Sequence, residues 1–172
     1  MCGIIGIYEY GEALDDSGKW IRDGCRLMSH RGPDDHGVFT DPEHPVCLGH
    51  RRLSILDVSA LGRQPMQTID GSIVVTYNGE IYNYLEIRTE LSGRGHTFRS
   101  ECDTEVLLHA YQEWGIDCLS RFNGMFAFGL WDRTLRKMFL VRDRLGIKPL
   151  YYLTGKFGIA FASEVKAFRA IP

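Results

Sequence analysis

The chain opens with Cys2-Gly3-Ile4-Ile5-Gly6-Ile7, directly behind Met1. The run is short, apolar and β-branched, and with Gly6 and Gly11 as bounds, residues 3–8 read as a buried strand. It also puts a thiol one cleavage away from the chain's N-terminus. Once Met1 is removed, Cys2 carries both a nucleophile and a free α-amine, with ordinary pKa values of roughly 8.5 and 7.7–8.0. Such an amine can act as a base near neutral pH, an established arrangement for acyl transfer. Cys2 reads equally well as a small apolar residue starting a strand, since free cysteine is among the most buried residue types. The residue alone does not choose between the two.

Further along, Ser17 to Ser29 has helical spacing, with Trp20, Ile21, Cys25 and Met28 on one face. His30-Arg31-Gly32-Pro33, continuing through Asp34-Asp35, reads as a loop. Short strands are expected around Gly37–Phe39 and Val46–His50. Ile73–Tyr77 is strand-like and runs into Asn78-Gly79, a strong turn signal. Helices are expected over 83–92, ended by Gly93 and Gly95, and over Thr104–Trp114, stopped by Gly115. In the latter, Val106, Leu107, Ala110, Tyr111 and Trp114 face inward. A short helix over 117–121 precedes four strands: Met125–Trp131, Lys137–Arg142, Leu150–Leu153 and Ile159–Ala162. Hairpin-like pairs mixed with helices favour an α+β layered domain over a doubly wound sheet. Ser163–Ile171 begins a helix that breaks off, which suggests a cut through a longer polypeptide.

The 172 residues suffice for one domain with a substantial core, and 44% hydrophobic with 24% charged residues is ordinary for a globular protein. A net charge of −2 with scattered basic residues gives no case for nucleic acid or a membrane surface. No run approaches the roughly 18 apolar residues of a membrane helix, and no signal-peptide pattern is present, so the cytoplasm is expected. The five cysteines (Cys2, Cys25, Cys47, Cys102, Cys118) are irregularly spaced, and the six histidines include no His-x-x-x-His. A zinc site or disulfide framework is therefore not expected. Cys25 and Cys47 read as inert core thiols, and none of the histidines is assigned a role.

Four segments in order carry the chemistry: Met1-Cys2-Gly3-Ile4, His30-Arg31-Gly32-Pro33-Asp34, His50-Arg51-Arg52-Leu53-Ser54-Ile55, and Tyr77-Asn78-Gly79-Glu80-Ile81-Tyr82-Asn83. With Arg142-Asp143-Arg144-Leu145-Gly146, they resemble the class II glutamine amidotransferase domain, in the variety that forms the N-terminal half of glutamine-dependent asparagine synthetases. The resemblance spans essentially the whole chain. Glucosamine-6-phosphate synthases and purine-pathway amidotransferases also begin Cys-Gly, but the Arg-Leu-Ser-Ile and Asn-Gly-Glu-Ile-Tyr-Asn runs favour the asparagine synthetase type. The resemblance implies a four-layer αββα sandwich of the N-terminal-nucleophile hydrolase type over 1–172.

It also implies roles. Cys2 attacks the side-chain amide of L-glutamine, expels ammonia and leaves a γ-glutamyl thioester for water to cleave. The Asn78 carboxamide and the Gly79 backbone N–H form the oxyanion hole, a tight turn bringing the two donors together. Taken alone, Asn78-Gly79 is a hairpin turn. Arg52 grips the substrate α-carboxylate with a guanidinium fork; otherwise it is a solvated strand-end arginine, as Arg51 reads. Asp103 holds the α-ammonium with help from Glu80, and its position before the Thr104 helix also suits an N-cap. The His30–Asp34 run and Arg142-Asp143 are scaffold.

The family's ATP-dependent synthetase domain, which adenylates a carboxylate such as aspartate, is expected downstream, because these residues contain no Ser-Gly-Gly phosphate loop. This domain itself is expected to need no metal, ATP or Mg. A homodimer is left open. Two rivals stand beside this reading: a catalytically silent regulatory or interaction module, and an N-terminal-nucleophile amidohydrolase acting on another amide. An amidotransferase domain serving an acceptor other than aspartate is a third variant. Retention of Cys2 speaks against the silent module. The Arg52, Glu80 and Asp103 set speaks against an acyl substrate, which has no zwitterion to clamp.

Overall fold

The computed structural model describes residues 1–10, 16–54 and 59–171. The Gly11 bound of the first strand and Ile55 of the His50–Ile55 run lie outside them. Nine strands form two antiparallel sheets among the described residues. The first sheet, in spatial order, is β2 (Asp35–Thr40), β3 (Val46–Arg52), β1 (Gly3–Glu9), β9 (Gly158–Ala162) and β8 (Tyr151–Gly155). The second is β4 (Met66–Gln67), β5 (Ile73–Ile81), β6 (Gly124–Asp132) and β7 (Lys137–Arg142).

Helix α1 (Ser17–Leu27) covers the first sheet; α2 (Tyr84–Gly93) and α3 (Asp103–Trp114) cover the second. Strand alternation explains the layering, because successive side chains leave a strand on opposite faces. Ile5 and Ile7 of β1 join Ile21, Cys25 and Met28 beneath α1. Ile4, with Leu48 of β3, packs between the sheets on Val74, Ala127 and Trp131. Val75 and Tyr77 of β5 pack outward on Leu91, Val106 and Leu107. The result is the expected αββα order.

Several local expectations change. Asn78-Gly79 makes no turn: β5 runs straight through, pairing Asn78 with Ala127 and Gly79 with Phe126. Nine residues paired along β6 override a two-residue turn preference, which is a local tendency only. Asp103 is not the N-cap of α3 either; that place falls to Cys102, without a side-chain cap bond, and Asp103 is the first helical residue. The His30–Asp35 stretch is a 3-10 turn over Ser29–Arg31 followed by β2, which already includes Asp35. The 117–121 helix is a 3-10 segment, Gly115–Arg121, and the terminal helix is another, Val165–Ala170. Gly93 lies within α2, while Gly115 stops α3 with φ 57, a left-handed value glycine adopts freely. Among the described residues, no helix is long and apolar enough to cross a membrane.

Candidate active site

At one end of the inter-sheet layer lies a cavity of about 300 Å³ lined by Cys2, Arg52, Asn78, Gly79, Glu80 and Asp103. All six site residues named from the sequence meet there. Pairing of Gly3 with Arg51 sets the start of β1 beside the end of β3, so Cys2 and Arg52 enter from one sheet. Asn78, Gly79 and Glu80 enter from the other sheet on β5, and Asp103 from the first turn of α3.

The free edge of β5 explains why Asn78 and Gly79 belong together. Strand β4 covers β5 at Val74 and Val75. Beyond it, Tyr77 N–H donates to Gln64 Oε1 at 2.7 Å and Ile81 N–H to Asp103 Oδ2 at 3.0 Å. Alternate residues of an antiparallel strand send their N–H groups to the same side. Gly79 N–H, between those two, is therefore aimed off the same edge, toward the cavity. A Cβ at Gly79 would meet the Met125 carbonyl oxygen at 2.6 Å and Phe126 Cα at 2.7 Å, so glycine keeps the two strands close there. Asn78 is buried, and among the described residues its Nδ2 has no hydrogen-bond partner. A buried donor without a partner costs roughly 1–3 kcal/mol, which a ligand oxygen can recover.

The nucleophile is held by its neighbours' backbones. Leu53 N–H lies 3.4 Å from Cys2 Sγ, the Leu53 carbonyl 3.6 Å, and Arg31 Nε donates to the Cys2 carbonyl at 2.9 Å. Burial pushes the Cys2 thiol up, while the Leu53 N–H, the Met1 amine and Arg52 pull it down. Burial also raises Asp103, against the hydrogen bonds it accepts from Tyr77 Oη at 2.7 Å and Ile81 N–H. Burial, followed by the charge of Asp103, raises Tyr77 well above the usual phenol, so the pair is a phenol donating to a carboxylate. Arg52 is buried, and its Nη1 donates to Ser59 O at 2.9 Å.

Residues 1–172 match the glutamine amidotransferase domain family. The chain belongs to that family. It is 44% identical over 174 residues to asparagine synthetase [glutamine-hydrolyzing] 3 of Bacillus subtilis, covering 100% of this chain and 28% of that relative. A second relative, asparagine synthetase [glutamine-hydrolyzing] 1 of the same organism, is 43% identical over 169 residues, covering 97% of this chain and 26% of its own length. The chain therefore spans under a third of either. The fold is shared with glutamine phosphoribosylpyrophosphate amidotransferase of Bacillus subtilis, at TM-score 0.80 and 22% identity, over 98% of this chain and 43% of that one. The four-layer sandwich of the N-terminal-nucleophile type is the fold of this amidotransferase domain.

Several residues around the cavity lie in the sequence motifs without an assigned chemical role there. Arg31, read as scaffold, holds the Cys2 carbonyl. Asp34 ties the same loop to β3, since its N–H donates to Arg52 O at 3.1 Å and its Oδ2 accepts from Ser54 N–H at 2.7 Å. Arg51 is no solvated arginine: its Nε donates to Gly32 O at 2.9 Å. Asp143 does act as scaffold, accepting from the N–H groups of Phe126, Leu145, Ile147 and Lys148. Lys148 itself lines the cavity.

His50, given no role, sits fully buried between the sheets with Nδ1 3.2 Å from Thr76 Oγ1. Thr76 Oγ1 donates onward to Gly49 O at 3.0 Å, so His50 Nδ1–H is the donor to Thr76. Among the described residues, no group of three or more His, Cys, Asp or Glu could hold a metal ion.

Proposed function

We propose that this domain hydrolyses the side-chain amide of L-glutamine to glutamate and ammonia. Removal of Met1 frees the Cys2 α-amine, which takes the Sγ proton. The thiolate attacks the amide carbon, and its electron pair moves to the carbonyl oxygen. That oxyanion accepts from Asn78 Nδ2–H and Gly79 N–H. Collapse expels the nitrogen, protonated by the α-ammonium, as ammonia and leaves the γ-glutamyl thioester on Sγ. Water, giving a proton to the α-amine, attacks the thioester carbon; Cys2 leaves with that proton and glutamate is released. Arg52 takes the α-carboxylate, and Asp103 with Glu80 the α-ammonium.

The observation that carries this reading is the buried Asn78 Nδ2, without a partner among the described residues, beside the edge-directed Gly79 N–H in the cavity of Cys2. Two converging donors of this kind are what a developing oxyanion requires. Each step is assigned to a group of this chain. ATP and Mg are assigned to a synthetase domain on a longer polypeptide, which would use the ammonia to amidate aspartate in the cytoplasm. The short span over its relatives supports that domain arrangement, with 1–172 as the glutaminase part.

The test is glutamate release from glutamine by the purified chain and by Cys2→Ala, with intact mass establishing loss of Met1. Turnover by the first and none by the second is expected. No turnover from a chain shown to begin at Cys2 overturns the reading.

A further inference from the structure

The start of β1 is gripped from the far end of the described chain. Ser163 N–H donates to Ile4 O at 2.9 Å, and Ser163 Oγ accepts from Ile4 N–H at 3.0 Å. The next residue, Glu164, accepts through Oε1 from Arg31 Nη1 at 3.1 Å. Arg31 in turn donates from Nε to the Cys2 carbonyl at 2.9 Å. Cys2-Gly3-Ile4 is thus bracketed on both sides of Gly3 by two consecutive residues that follow β9.

The Arg31 side chain is nearly buried, and among the described residues Nη2 has no partner. Glu164 is the only carboxylate paired with it there. The Glu164 carboxylate also receives His30 Nε2 at 2.9 Å and Lys166 Nζ at 3.1 Å. Burial works to raise its pKa, but the hydrogen bonds from His30, Arg31 and Lys166 outweigh burial and bring it to about 2. It is therefore an anion at every pH of interest, and of its three partners Arg31 is the one that also donates to Cys2.

We propose that Glu164 is a positioning residue for the Cys2 reaction, acting through Arg31. A terminal residue frays unless it is tied down, and once Met1 is removed nothing precedes Cys2 to restrain it. Its thiol and α-amine then take their place from the peptide that follows. The carbonyl of that peptide is held by Arg31, and the rotamer of Arg31 is set by Glu164. A misplacement of about 1 Å at a reacting group costs on the order of 10²-fold in rate. The proposal rests on the glutamine-hydrolysing reading above.

The experiment compares Glu164→Ala, Glu164→Gln, His30→Ala and Lys166→Ala in the whole chain, each shown by intact mass to lack Met1. Glu164→Ala is expected to lose roughly tenfold to a hundredfold in kcat, with KM for glutamine within about twofold. Glu164→Gln keeps an acceptor for Arg31 and recovers part of the loss. His30→Ala and Lys166→Ala keep the kcat of the unaltered chain. Adding Arg31→Ala to Glu164→Ala produces little further loss, because both act on one element.

Backbone amide exchange at Gly3 and Ile4 is expected to quicken in Glu164→Ala. Unchanged kcat or unchanged exchange in Glu164→Ala overturns the proposal, as do equal losses in His30→Ala and Lys166→Ala, which would mark a general charge effect. If the unaltered chain releases no glutamate, the glutamine reading fails, and the exchange result alone then decides whether Glu164 holds Cys2.

Discussion

Leu53 meets the Cys2 sulfur with both of its backbone polar groups, the N–H at 3.4 Å and the carbonyl at 3.6 Å. A thiol can donate to that carbonyl, and a thiolate can accept from that N–H, so one peptide serves both protonation states. Burial still dominates, and the thiol is raised when Met1 is attached. In a form that retains Met1, alkylation of Cys2 by iodoacetamide should climb with pH through a midpoint above that of free cysteine. Cys25 and Cys118, pushed up to about 12 by burial, should stay unlabelled over the same range. Mass mapping of alkylated peptides checks both statements, and a Cys2 midpoint at or below the free value sinks the first.

Asn78→Ala removes one oxyanion donor and leaves a small hole in a packed layer. The expected loss is on the order of 10²–10³ in kcat, about 2.7–4 kcal/mol of barrier, with KM little changed. Asn78→Asp should be at least as poor, because a carboxylate oxygen then faces the developing negative charge. Steady-state kinetics of glutamate release measure the split.

Arg52→Ala should act mainly on binding. Losing a charge-assisted hydrogen bond costs about 1.5–3 kcal/mol, so KM for glutamine should rise roughly ten- to a hundredfold while kcat moves little. An unchanged KM removes Arg52 from the carboxylate role.

Gly79→Ala tests the close approach of β5 and β6. The added methyl must displace the Met125 carbonyl or the Phe126 backbone, an overpacking that typically costs about 1–3 kcal/mol. Guanidinium denaturation should show that loss, and kcat should fall with it because the Gly79 N–H moves too.

His50 gives the acid dependence of stability. Burial of the ring, followed by the charge of Arg52, lowers its pKa from 6.5 to about 3. Below 6.5 the unfolded chain takes up a proton that the folded chain refuses, so stability is lost as pH falls from 6.5 toward about 3. The slope from this residue is roughly 1.4 kcal/mol per pH unit. His50→Gln should be less stable at pH 7 yet lose less between pH 7 and pH 5, as read by denaturant midpoints at the two pH values.

Much of the element order was legible because it rests on local periods: the isoleucines of β1, the inward face of α3 and the strands from β6 onward. The sequence motifs also named the six residues that converge on the cavity. What could not be read was any pairing partner. The Asn78-Gly79 pair carries a turn preference, and only the distant β6 turns it into mid-strand. Asp103 resembles a cap until Tyr77 and Ile81 claim its carboxylate from another layer. Arg31 and Leu53 work on Cys2 across 29 and 51 residues and involve backbone atoms, which leave no trace in side-chain spacing.

The passage of β5 straight through Asn78-Gly79 has a dynamic consequence. Donors at the tip of a hairpin could loosen on their own, since such tips open at little free-energy cost. Here the two donors, a side-chain amide and a backbone N–H, belong to consecutive residues of a strand that is paired with β6 along its length. The backbone that carries them has no hinge of its own and opens only when the sheet opens. Heat should therefore erase the oxyanion geometry and the second sheet in one cooperative event, with no folded but slackened state of the site in between.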